Sequence, residues 1–310
     1  MKNTLISISL ISVVLCASIH RLSAEEKEWL DLLKRLSVEF NHSKMEWTMR
    51  QVFPPSPGLA ASIKESDERE IEAITDPVRR EEFRKAFEKG WGDLENGSTE
   101  SVRIFVDYFD ESKYYIKREF GSISITEYFA DGDGLRYAKK GRDVEISKDT
   151  GEILGHLGGF LSFTIREALG RVTSVVLRGE DAERLTLFGE GGGYGLKAVV
   201  RKRDLLVESL EYGYLSGVAD GGNGKVLVRA KVTSFDKKLG KEFPSKIEVS
   251  RYTVDGRLMH EEFWDLVSLD LNVKDELMHD TSFVLKPGMV VKDKTGSVTR
   301  SYRSEEVLPK

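Results

Sequence analysis

From residue 101 onward the chain is a succession of short strand-like runs with turn-formers between them, and this limits the possible folds more than anything else in the sequence. "SVRIFVDYF", "KYYIKREF", "SISITEYFA", "GLRYAKKG" and "RDVEIS" follow one another, separated by groups such as Asp110-Glu111-Ser112 and Asp131-Gly132-Asp133-Gly134. Connections this short join antiparallel neighbours, so the region reads as a β-meander. One interruption, "LGGFLSFTIREALG" at 157–170, reads as a short apolar helix closed by Gly170. Strands then resume with "VTSVVLRG", "ERLTLFGE", "YGLKAVVRK" and "LLVESLEYGYL". The longest come last: "VLVRAKVTSF", "SKIEVSRYTV" and "LMHEEFWDLVSLDLN". Val254-Asp255-Gly256-Arg257 places Asp-Gly between the last two, a strong hairpin signal. A sheet of so many antiparallel strands has to close, pair with a second sheet or be covered. The expected class is therefore mainly β with α (α+β): a strongly curved antiparallel half-barrel covered by a few helices.

The covers are visible upstream. In "EEKEWLDLLKRLSVEF" (25–40), Trp29, Leu32, Leu33, Leu36 and Phe40 recur at helical spacing on an otherwise charged segment, so one face should be buried. "KMEWTMRQVF" (44–53) changes to a period of two, with Met45, Trp47, Met49 and Gln51 on one side and Glu46, Thr48 and Arg50 on the other. "PPSPG" (54–58) ends that strand, since consecutive prolines cannot continue a ladder. Residues 62–90 form the charged core of a helical insert placed at about 59–92. Ser62 with Glu65 has capping-box spacing, Pro77 opens a second helix, and Gly90 is read as its stop. Val78, Phe83 and Phe87 give that helix a thin apolar stripe.

The first 24 residues read as a secretory signal peptide: Lys2, an apolar run from Leu5 to Ala17, and cleavage after Ala24. The run is shorter than the ~20 residues a membrane span needs. Leu15 precedes Cys16 where a lipidated cysteine normally follows a small residue. Cys16 is the only cysteine, so the mature chain has no disulfide and no thiolate chemistry. Residues 25–310 read as a single domain, located in the periplasm or secreted. The net charge of −5 and the absence of a basic block argue against nucleic-acid binding, and no second run approaches membrane-spanning length.

Motifs for chemistry fail on detail. "GEGGGYG" (189–195) lacks the G-x-G-x-x-G spacing and sits between strands, so it reads as a hairpin tip. "DGGNGK" (220–225) has Val226 where a phosphate loop needs Ser or Thr, and "DGDG" (131–134) has too few calcium ligands. "HEEFW" (260–264) has Trp264 where a zinc-protease helix needs its second histidine. The other mature histidines, His42, His156 and His279, are far apart, and all four read as lone surface residues. No cofactor, metal site or catalytic residue is expected, although dispersed carboxylates leave a hydrolase as a third reading.

What stands out is apolar content on both faces of several strands. Ile104, Val106 and Tyr108 lie opposite Phe105 and Phe109. Leu210, Tyr212 and Tyr214 lie opposite Val207. Trp264 and Leu266 lie opposite Phe263, Val267, Leu269 and Leu271. Either one face is core and helices cover part of the other, or one face lines an apolar cavity. The candidate ligand-binding set is Trp47, Met49, Leu210, Tyr212, Trp264 and Leu266.

The order of elements resembles that of LolA/LolB-like lipoprotein-sorting carriers. The segments that carry it are the helix-to-strand passage "SVEFNHSKMEWTMRQ", the strand–turn–strand "YFADGDGLRYAK", the block "GKEFPSKIEVSRYTVDGRLMHEEFWDLVSLDLN" and a closing Phe283, Gly288, Val291 and Asp293. The resemblance implies an open half-barrel with helices as a lid over an apolar concave side. The chain departs from it by its length at 54–100, and no motif identifies lipoprotein cargo. Pro287-Gly288 suits the centre of a type II turn, so the tail should reverse, protect the rim of the sheet and anchor itself in the core. The expected function is a non-enzymatic cell-envelope protein that binds an apolar ligand, a lipid or acyl chain that could belong to a lipoprotein. The alternative is a protein-binding or scaffolding module that uses the helical insert on an envelope partner.

Overall fold

A computed structural model of the chain describes residues 24–37, 42–108, 113–121, 124–131, 135–148, 165, 168–219, 225–238, 241–271, 288–296 and 298–303. The signal-peptide reading, Phe283 and Phe109, and most of the 157–170 segment lie outside these residues. Ile165 and Ala168 of that segment are helical and fully buried.

Helix α1 (Ala24–Ser37) carries acidic residues in its first turn and basic residues in its last, which complements the helix dipole. Strand β1 (Ser43–Phe53) follows. Two helices, α2 (Pro57–Glu72) and α3 (Pro77–Asn96), separate it from β2 (Ser98–Tyr108). Then come β3 (Lys113–Phe120), β4 (Ser124–Asp131), β5 (Arg136–Lys140), β6 (Asp143–Ser147), β7 (Ser174–Glu180), β8 (Arg184–Gly191), β9 (Tyr194–Arg201) and β10 (Val207–Tyr214). A short α4 (Leu215–Ala219) precedes β11 (Val226–Lys238), β12 (Lys241–Tyr252) and β13 (Leu258–Leu271), and the tail adds β14 (Val290–Asp293) and β15 (Arg300–Arg303).

All fifteen strands belong to one open sheet, ordered β15-β14-β6-β5-β4-β3-β2-β1-β13-β12-β11-β10-β9-β8-β7. Its centre is β1, paired with β2 on one side and with the late strand β13 on the other. A single apolar cluster covers one face, from Tyr128 on β4 to Val175 on β7, and takes in Leu32, Leu33 and Leu36 of α1. The strands from β4 to β7 would span roughly 50 Å if flat, at about 4.8 Å per strand. A helix as short as α1, roughly 20 Å long, cannot roof that width. Burial of this face across that width, on a sheet that stays open, fits the strongly curved half-barrel expected from the sequence.

β-Bulges revise two of the face assignments made by alternation. β13 pairs with β1 through Glu46–Ser268 and then Trp47–Leu266, which leaves Val267 as the extra residue, half exposed. Leu269 and Leu271 therefore pack on the same side as Trp264 and Leu266, not opposite them. A similar irregularity at Glu208 brings Val207 onto the face of Leu210.

The insert is wider than 59–92, and both of its expected ends move. Pro57 opens α2, so Ser62 lies inside the helix and caps nothing. Pro77 does open α3, with the Asp76 carboxylate accepting from the N–H groups of Val78 and Arg79 at 2.9 and 3.3 Å. Gly90 is not the stop. The helix runs through it to Asn96, and Gly97 ends it at φ +78°, where a Cβ would lie 2.7 Å from the carbonyl oxygen of Phe53. The two helices pack on each other through Ala60, Ile71 and Trp91, whose indole donates to Asp67 at 2.9 Å.

The tail does guard the rim. Gly288, at φ +82°, has the backbone that the type II turn requires. β14 then pairs with β6 in parallel, the one departure from antiparallel order among the described strands, and β15 covers β14. Its anchor differs from expectation: Met289 and Val291 pack on Val144 and Ile146 in a small separate cluster rather than in the main core. The register explains this. Ala138 of the main face pairs with Glu145, which turns Val144 and Ile146 to the outside of the curve.

Candidate ligand-binding face

The concave face is built outward from the β1–β13 pair. Trp47 faces Leu266 across the ladder and Met49 faces Trp264. The two indoles meet edge to face, with centroids 6.1 Å apart and planes at 77°. Leu210 and Tyr212 reach the same cluster from β10, opposite Ala198 and Leu196 of β9. Tyr212 continues into a stack with Tyr194 at 5.9 Å and, through it, Tyr214 at 5.3 Å. All six predicted residues thus lie on one side of the sheet. Trp47, Met49, Leu210, Tyr212 and Trp264 are at most 2% exposed, while Leu266 is partly buried.

The convex face explains why aromatics occur on both sides of the strands. Phe263 lies under the guanidinium of Arg50 at 4.2 Å, and Phe105 lies between Arg103 at 5.0 Å and Lys117 at 5.7 Å. Ion pairs such as Arg103–Glu46 and Lys246–Asp265, both at 2.7 Å, surround them. These rings are shielded singly by cationic side chains. They form no second apolar surface, and the continuous one is concave.

One end of the concave face carries charge. Glu262 is buried two residues before Trp264 and accepts three hydrogen bonds: Arg251 Nε at 2.8 Å, His260 Nε2 at 2.9 Å and Trp264 Nε1 at 2.8 Å. Burial pushes the Glu262 carboxyl up. The His260 hydrogen bond, the charge of Arg251 and the Trp264 hydrogen bond outweigh it and hold the group at about 2. Both oxygens are engaged, so Glu262 is a fixed acceptor that orients the Trp264 ring. His260, which also tilts against Phe53 at 5.3 Å, is therefore no lone surface histidine as expected. The sequence carries the signal for this group, which sequence reasoning missed: a period of two puts His260 and Glu262 on the face of Trp264. His42 is exposed, and His156 and His279 lie outside the described residues.

The glycine segment 189–195 is the hairpin tip expected. Gly191 pairs with Tyr194, which leaves a two-residue Gly192-Gly193 turn.

α1 roofs the face near β7. Leu32, Leu33 and Leu36 point into the cluster, Trp29 and Leu30 pack at its margin, and the remaining positions are mostly charged. No helix among the described residues is long and apolar enough to cross a membrane.

No family model matches this chain, and no curated protein matches it. Among solved structures it is similar to a DUF1329 family protein from Desulfovibrio piger, with 12% identity over 81% of this chain and 95% of that one and a TM-score of 0.48. It is also similar to a LolA superfamily protein from Nitrosomonas europaea, with 12% identity over 80% of this chain and 94% of that one and a TM-score of 0.46.

Proposed function

We propose that this is a non-enzymatic protein of the cell envelope that binds the apolar part of a lipid, an acyl chain in the simplest case, against the concave face after α1 yields. The observation that supports this most is a continuous apolar surface on an open curved sheet, covered in part by the amphipathic helix α1 through three leucines. Burying Leu32, Leu33 and Leu36 contributes about 5–9 kcal/mol at about 1.5–3 kcal/mol per side chain. An entering chain gains about 0.8 kcal/mol per buried methylene, so roughly six to eleven methylenes offset the loss of the roof. A long acyl chain can displace this helix, and a small solute cannot. Trp47, Met49, Leu210, Tyr212, Trp264 and Leu266 are the expected contacts. The test is uptake of a fluorescent fatty acid by delipidated protein, with mass spectrometry of whatever the natively purified protein retains. Saturable one-site uptake supports the reading; a linear, unsaturable signal and no retained lipid would end it.

A second reading has its own observation. Val78, Phe83 and Phe87 of α3 are exposed at 66, 47 and 38%, so the stripe read from the sequence faces solvent. That suits a protein-binding surface on the insert. An envelope partner that co-purifies with the full chain and is lost when 57–96 is replaced by a short turn would favour it.

A further inference from the structure

The concave face is not apolar to its edge. Where β4, β5, β6 and β14 run side by side, a pocket of about 310 Å³ is lined by Thr126, Tyr128, Lys140, Asp143, Glu145 and Lys292, with Ala138 at its floor. Tyr128 belongs to the main apolar cluster and Ala138 packs against it, so the pocket opens directly off the greasy surface. Its charges are unevenly matched. Lys139, which also lines it, is held by Glu127 at 2.5 Å, and Glu145 is held by Lys294 at 2.7 Å. That leaves Lys140 and Lys292, neither with a carboxylate in ion-pair range among the described residues, and Asp143, opposite Lys140 in the ladder. Two ammonium groups against one carboxylate leave the pocket with net positive charge. Several other cations of the sheet are closely paired, as Arg103 is with Glu46 and Arg184 with Glu208, while Arg50, Arg118 and Arg178 lie over aromatic rings.

From this juxtaposition we infer that the pocket is a headgroup subsite for an anionic amphiphile: a carboxylate or phosphate sits between Lys140 and Lys292 while the tail runs past Tyr128 onto the apolar face. This rests on the lipid-binding reading and adds a ligand class to it. Anionic amphiphiles are selected over neutral ones with the same tail, by about tenfold if each exposed contact contributes about threefold. The preference shrinks as salt screens the two charges.

The experiment compares oleate with oleyl alcohol on the delipidated full chain and on the double variant Lys140→Glu/Lys292→Glu. Oleate is expected to bind about ten times more tightly than the alcohol to the parent, and the variant to lose that preference while its alcohol affinity stays unchanged. That unchanged affinity also reports that the variant is folded. Equal binding of the two ligands by the parent, or a preference that survives in the variant, overturns the subsite and leaves the lipid-binding reading standing. Binding of neither ligand removes that reading, and the subsite with it. Inorganic phosphate is the third arm: it should not displace oleate at millimolar concentration, and displacement would mark a free-anion site and overturn the amphiphile assignment.

Discussion

Two helices of this chain carry comparable apolar stripes. On α1, Leu32, Leu33 and Leu36 are buried in the main cluster. On α3, Phe83 tilts against Phe87 and Phe87 stacks on Trp91, with centroids 6.5 and 6.3 Å apart, yet only Trp91 is buried. The difference lies in what each helix can reach. α1 precedes the central strand β1 in the chain and lies against the concave face near β7, whereas α3 belongs to an insert between two already paired strands and packs mainly on α2. The spacing of apolar residues reveals that a helix has a face. Only the topology decides whether something is there to meet it.

Three tests probe that contrast. The largest effect is expected from Leu33→Ala, which should cost about 2–5 kcal/mol of the docking of α1. It would be read as lost hydrogen-exchange protection across 24–37 together with faster fatty-acid uptake. Protection equal to the parent's would mean that α1 is not held by this residue.

Next is charge. Glu262 is buried at the end of the concave face, whereas the insert's charges, such as Lys89 with Asp93 at 2.5 Å, are exposed. The folded-state pKa of Glu262 is depressed. Its contribution is therefore fully present above the unfolded value near 4.5 and is lost as pH falls through about 2. The shift corresponds to about 3 kcal/mol as an upper figure. Denaturant titrations between pH 5 and pH 2 should show the parent losing stability over this window and Glu262→Gln losing less, with Lys89→Ala indistinguishable from the parent. Parallel curves for the parent and Glu262→Gln would contradict the network.

The smallest effect belongs to the stripe on α3. Phe83→Ser with Phe87→Ser should change thermal stability by less than about 0.5 kcal/mol, since neither ring is buried. A loss of several kcal/mol would show that the stripe is covered in solution and that the contrast with α1 is false.

Most of the sheet was legible because its signals are local. Strand lengths, the turn at Asp255-Gly256 and the alternation in 44–53 depend on neighbouring residues alone. The bulges at Val267 and Glu208 were not legible, because an extra residue in a strand is defined by its partner across the ladder. The end of α3 was misread for a related reason: Gly90 looks like a stop until Gly97, forced against Phe53, is seen to supply one. Candidate residues on β1, β10 and β13 fell on one face because period-two reasoning holds between bulges. The Arg251–His260–Glu262 group escaped because buried charge on an apolar strand is visible only once the strand's inner side is known.

The chain has four tryptophans. Trp29, Trp47 and Trp264 belong to the main cluster or pack on it, and Trp91 lies in the insert. The most direct test is quenching of Trp91→Phe by a brominated fatty acid, which extinguishes only indoles it touches. A chain lodged beneath α1 should quench the three remaining tryptophans saturably, with the same absolute loss of emission as in the parent and a larger fractional one. Tight binding without quenching in this variant, after clear quenching in the parent, would place the ligand on the insert and contradict the account.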